Sequence, residues 1–113
     1  MKIRKAFVSN SSSCSFTIEN ISADGGKLTL ADFARENDHL RVEFCERYHW
    51  HDIGYDEMIE SAEKANIIFA PGRKRPCVFG DEDGTIVGQV YDYQLREGGE
   101  SENFRWKFVE FLR

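Results

Sequence analysis

An α+β (or α/β) fold is what this sequence predicts: a small single domain with one sheet of about four to five short strands and about three helices. Three observations carry it. The chain has 113 residues, which suits one domain of ordinary size. Leu, Ile, Val and Phe make up roughly a quarter of it, too many for a disordered chain with a net charge of only −5. Its apolar residues recur at period 2 in some stretches and at helical spacing in others.

The elements follow in order. A Ser-rich segment, residues 1–14, precedes an α+β body over 15–113, and composition alone reads Ser9–Ser15 as an arm or loop. Phe16-Thr17-Ile18 alternates and predicts a strand, ended by Asn20, Asp24 and Gly25-Gly26. Thr29 with Asp32 three residues later forms a capping-box pattern, so a helix starts there and buries Leu30, Phe33 and Ala34, stopping near Asn37-Asp38. Leu40, Val42 and Phe44 alternate with Arg41, Glu43 and Cys45 and predict a strand. Asp56 is the expected N-cap of a helix to about Ala65, with Met58, Ile59 and Ala62 inward and Glu60–Lys64 as an i,i+4 pair. Ile67–Phe69 and Cys77–Phe79 read as brief strands, ended by Pro71-Gly72 and Gly80. From Gly84 to Arg96, apolar residues at helical spacing, acids before the segment and Arg96 then Gly98-Gly99 after it favour a helix over a strand. Phe104, Trp106 and Phe108 give the clearest strand, with Arg105 and Lys107 on its exposed face.

Cys14, Cys45 and Cys77 are an odd, widely spaced set with no Cys-x-x-Cys pair, which points to reduced thiols. The apolar runs around Cys45 and Cys77 make those two the expected buried ones. No stretch approaches the roughly 20 apolar residues of a membrane span, and Lys2, Arg4 and Lys5 are followed by no apolar signal region. A cytosolic protein with no membrane contact is therefore expected. Twelve of the 20 acids fall within residues 19–70, against five basic residues. Such a surface repels a phosphate backbone, so nucleic acid is an unlikely partner and a protein the expected one. Oligomeric state is left open.

Three places carry candidate chemistry. His49-Trp50-His51, with Cys45, Asp52 and Asp56 nearby in sequence, is a weak zinc candidate at a spacing that matches no established signature, and packing is the favoured reading. Asp81-Glu82-Asp83-Gly84 fails the calcium-loop pattern, because the first ligand falls on Phe79 and the last on Val90. Pro71-Gly72-Arg73-Lys74-Arg75-Pro76 reads as a rigid basic loop, and Arg73, Lys74 and Arg75 are the candidate binding residues for a phosphate or an acidic side chain. It lacks the Gly-x-x-x-x-Gly-Lys-Ser/Thr cradle, so no nucleotide and no other cofactor is expected. No nucleophile elbow, zinc-protease helix or kinase set occurs, and Cys45 in an apolar strand would be inert beside His49. No catalytic residue is assigned.

The opening Phe7-Val8-Ser9-Asn10-Ser11-Ser12-Ser13-Cys14-Ser15-Phe16 resembles the start of a group of small uncharacterised proteins of bacteriophages and bacteria, in which Phe-Val-Ser-Asn is followed by an unbroken Ser tract and Phe; here Cys14 interrupts the tract. The stretch from Phe79-Gly80-Asp81 through Arg96 to Phe104-x-Trp106 is more loosely similar to phage-encoded relatives. The resemblance implies a phage or prophage origin and an order in the Ser tract that composition does not. It transfers no activity. The function expected is that of a cytosolic phage-type accessory protein that binds a host or phage protein, the abundant aromatics supplying its interface anchors. The alternatives are a virion-associated structural protein and a small metal-dependent or cysteine enzyme.

Overall fold

Alternation of small polar and apolar side chains is the rule of a half-buried strand, and it runs from Ser13 to Asn20. Cys14, Phe16, Ile18 and Asn20 are buried there, while Ser13, Ser15, Thr17 and Glu19 face the other way. This strand is β1 (Ser13–Asn20), the first element of a computed structural model that describes residues 13–48, 53–80 and 84–112. Along the chain follow β2 (Leu28–Thr29), α1 (Leu30–Glu36), α2 (Asp38–Tyr48), α3 (Tyr55–Ala65), β3 (Ile68–Phe69), β4 (Lys74–Gly80), α4 (Ile86–Gln94), β5 (Gly99–Glu100) and β6 (Phe104–Leu112). The fold is α+β: a four-stranded antiparallel sheet in the order β4-β1-β6-β5, and a two-stranded sheet of β2 with β3. Ser13, Cys14 and Ser15 of the hydroxyl-rich tract belong to β1, and Ser9–Ser12 lie outside the described residues.

Helices α1 and α4 supply the layer against the sheet. Phe33 of α1 meets the rings of Tyr91, Phe104 and Trp106 edge-on at 5.2, 5.1 and 5.2 Å, and Tyr91 meets Phe79 of β4 at 5.4 Å. Edge-to-face contacts of this kind add to plain burial. Helices α2 and α3 pack on α4 and α1. No helix among the described residues is long and apolar enough to cross a membrane.

The capping box at α1 forms as its spacing predicts. The Asp32 N–H donates to the Thr29 hydroxyl at 3.2 Å and the Thr29 N–H to the Asp32 carboxylate at 2.9 Å. The helix ends at Asn37, whose amide nitrogen donates to the Phe33 carbonyl and to the Ser101 hydroxyl.

The segment expected as a strand over Leu40–Phe44 is helix α2 instead. Leu40 and Phe44 are both buried, which suits period 2 and the i,i+4 spacing of a helix equally, but Val42 between them is exposed. Asp38 sits in the first turn, where it pairs with Arg41 at 2.7 Å, and an acid there favours the helix. In α3 the N-cap is Gly54, not Asp56: the Glu57 carboxylate accepts from the Gly54 N–H at 2.9 Å, and Asp56 occupies the first turn. Thr85 caps α4 through its hydroxyl, which accepts from the Gly88 N–H at 3.0 Å. In β6, Phe104 and Trp106 are buried, Phe108 is half-buried, and Arg105 and Lys107 are exposed.

Candidate functional site

Of the expected binding residues, only Arg73 lies in a loop. Lys74, Arg75 and Pro76 open β4, where they pair with Glu19, Ile18 and Thr17. The expected rigid basic loop is thus half a strand, because a long, well-formed β1 extends the ladder on past Cys77. All three basic side chains are exposed, and the Arg75 guanidinium donates to the Ile68 carbonyl at 3.0 Å, tying β4 to β3. Among the described residues, β4 has a strand on one side only. Pro76 offers no N–H and must turn its nitrogen to the open edge. Lysine, arginine and proline are the residues that keep a sheet edge from pairing with another chain. Among the described residues, the basic cluster lines a sheet edge of that kind.

Asn20 anchors this corner. Its buried amide nitrogen donates to the carbonyls of Gly26 and Phe69 at 2.8 and 3.0 Å, and its side-chain oxygen accepts from the Ser22 N–H at 3.0 Å. Its backbone bonds the Gly72 N–H and the Arg73 carbonyl.

His49, His51 and Asp52 lie outside the described residues, as do Asp81, Glu82 and Asp83. Cys45, expected in a strand, is half-buried on α2, and Asp56 is exposed. Among the described residues no group of three or more His, Cys, Asp or Glu side chains could hold a metal ion. The buried cysteines are Cys14 and Cys77, not Cys45 and Cys77.

Cys14 belongs to a cluster that its place in a serine tract does not announce. The alternation of β1 turns it inward, where its thiol meets Asp92 of α4 and faces Arg96. Asp92 is fully buried, and Arg96 answers it one turn later, 3.4 Å from the carboxylate and 2.7 Å from the Asp92 carbonyl. Burial, then the hydrogen bond to Asp92, push the Cys14 thiol up to about 11. It therefore stays protonated at neutral pH, a donor rather than a nucleophile. Burial likewise takes Cys77 to about 11.

Arg96 also begins an aromatic surface. Its guanidinium lies over the Tyr93 ring at 4.7 Å and over Phe111 at 5.1 Å. Tyr93 meets Tyr48 at 5.0 Å, Tyr48 meets Phe44 at 5.1 Å, and Phe111 meets Phe108 at 5.0 Å. The result is a continuous stripe from the end of α2, across the end of α4, to the end of β6, with Tyr48 40% and Phe111 56% exposed. Most of the described aromatics, however, fill the core. Phe16, Phe33, Phe44, Phe69, Phe79, Phe104, Tyr91 and Trp106 are buried, because a small domain needs large side chains to fill its core. Sequence reading missed the stripe, although Phe44 with Tyr48 and Tyr93 with Arg96 stand at spacings that share a helix face.

No protein-family model, curated protein or solved structure matches the chain.

Proposed function

We infer that this protein is a small cytosolic, phage-type accessory protein that acts by binding another protein. The observation that carries the reading is the stripe Tyr48–Tyr93–Arg96–Phe111, exposed at Tyr48 and Phe111 and half-buried between them. Tyrosine and arginine are over-represented among the side chains that dominate binding energy, and rings that brace one another lose little freedom on docking. The guarded basic edge is not the contact surface in this reading, and the acid-rich first half of the chain favours a protein over nucleic acid. The phage origin rests on the likeness of the Phe7–Phe16 opening.

Affinity capture from bacterial host lysate, with the full chain as bait and mass spectrometry as readout, tests this. A specific partner should be retained by the wild type and by the Lys74→Ala/Arg75→Ala variant. It should be lost at least about tenfold on Tyr48→Ala and on Tyr48→Asp, as for an interface anchor. Capture unaffected by Tyr48→Asp, or dependent on Lys74 and Arg75, would contradict the reading.

A further inference from the structure

Strand edges are where sheets recruit other chains, and this sheet treats its two edges differently. β4 carries Lys74, Arg75 and Pro76 on its own edge. At the other side β5 is two residues long and covers only Arg105 and Trp106 of β6. Among the described residues, Lys107–Leu112 therefore pair with β1 alone, and their outer edge is open. No proline interrupts it, and Val109 and Phe111 stand on it 50% and 56% exposed.

A bulge makes this stretch self-complementary. Phe16 pairs with Phe108 and Ser15 with Glu110, so Val109 is an extra residue in β6. In a regular strand, residues 108 and 111 would face opposite sides. Here the extra residue puts Phe108, opposite the buried Phe16, and Phe111, opposite the buried Cys14, on the same face, and their rings touch. Lys107, Glu110 and Leu112 share the other face, opposite Thr17, Ser15 and Ser13.

We propose that the open edge of β6 pairs with the same edge of a second copy, antiparallel about a two-fold axis between Val109 and Glu110, to form a homodimer with one continuous sheet. In that register Phe108 lies opposite Phe111 of the second copy, and Lys107 lies opposite Leu112. Both pairings keep paired side chains on one face, as a ladder requires. Lys107 then stands diagonal to Glu110 of the second copy, within reach of a long side chain, and the two-fold repeats the contact. Shifting the register by one residue would set Glu110 against Glu110 and put Phe108 across from Leu112, on the wrong face. The charges and the bulge thus select one alignment. An isologous contact closes on itself, so the open edge yields a dimer rather than a fibre. The dimer also joins the two aromatic stripes through four phenylalanines at the axis.

Sedimentation velocity on the full chain, across a wide concentration range, reads the outcome. The wild type should pass from 13.1 kDa to twice that mass as concentration rises. Phe111→Lys should hold it monomeric, with an unchanged melting temperature in dilute solution where the wild type is also monomeric, since that side chain is more than half exposed. Lys107→Glu and Glu110→Lys should each weaken the dimer, by about three- to tenfold, and the double variant should restore it. A monomer at every concentration, a dimer indifferent to Phe111→Lys, or a double variant no tighter than the singles would overturn the proposal. So would a monomer whose Lys107–Leu112 amides are protected at every dilution, since another segment of the chain would then occupy the edge.

Discussion

Asn20 shows how much one buried amide can hold together. Its side chain joins the end of β1 to the turn before β2 and to β3 through three hydrogen bonds, and its backbone holds the loop before β4. Asn20→Ala strands the Gly26 and Phe69 carbonyls, and a buried group left without its partner costs about 1–3 kcal/mol; chemical denaturation should show a loss of that size. Glu36 does comparable work at the end of α1. Burial opposes its ionisation, but hydrogen bonds from the Ser101 hydroxyl and from the backbone and side-chain amides of Asn103 outweigh it and hold the carboxyl below its ordinary 4.5. A carboxyl depressed in the folded state stabilises the fold above its ordinary value, and that contribution is lost as pH falls through the lower folded value. Glu36→Gln should therefore cost most at neutral pH, with its gap from the wild type closing below about pH 4.5 in urea melts taken across pH. The thiols follow their surroundings too. A disulfide reagent at pH 8 should modify half-buried Cys45 first, and Cys14 and Cys77 only as the protein unfolds, as a timed mass spectrum of the labelled chain would record.

At the scale of the element, the readable parts were those whose signal is local. Thr29 with Asp32 announced α1 because a capping box is made of neighbours in sequence, and Phe104 with Trp106 announced β6 because only one face of that strand is buried. Helix α2 was misread because Leu40 and Phe44 satisfy both periods and Val42 is an exposed apolar residue on a helix. β4 runs further back than Cys77-Val78-Phe79 suggested, since pairing with β1 recruits Lys74, Arg75 and Pro76, which no propensity would place in a strand. The stripe was hidden for a related reason: its members come from three elements, and only tertiary packing brings Tyr48, Tyr93 and Phe111 together. The spacing of three from Phe108 to Phe111, which breaks the alternation where the bulge lies, is a local signal the sequence reading passed over. Where β5 meets β6, Gly99 lies against Trp106, and a Cβ there would stand 2.5 Å from the indole. Gly99→Ala should destabilise by about 1–3 kcal/mol, the usual cost of overpacking. Trp106→Ala should cost about 3–5 kcal/mol, as core aromatic deletions do. A wild-type melting temperature for Trp106→Ala would remove β6 from the core.

Taken as a whole, the described part of the molecule packs Tyr91, Phe104 and Trp106 around Phe33 and sets Tyr48, Tyr93 and Phe111 along one side, with the length of β6 that pairs with β1 alone among the described residues. The opposite edge carries Lys74, Arg75 and Pro76. The two edges both carry charged side chains and differ in proline and in the exposed apolar Val109 and Phe111, and the proposed dimer rests on that difference rather than on the basic residues that stand out in the sequence. Hydrogen exchange on the full chain, read at high and at low protein concentration, tests it most directly. The amides of Lys107–Leu112 that do not bond β1 should exchange fast in dilute solution and slow markedly when concentrated, while those of Phe16–Ile18 stay protected throughout. Exchange at Lys107–Leu112 that is equally fast at both concentrations would contradict the account.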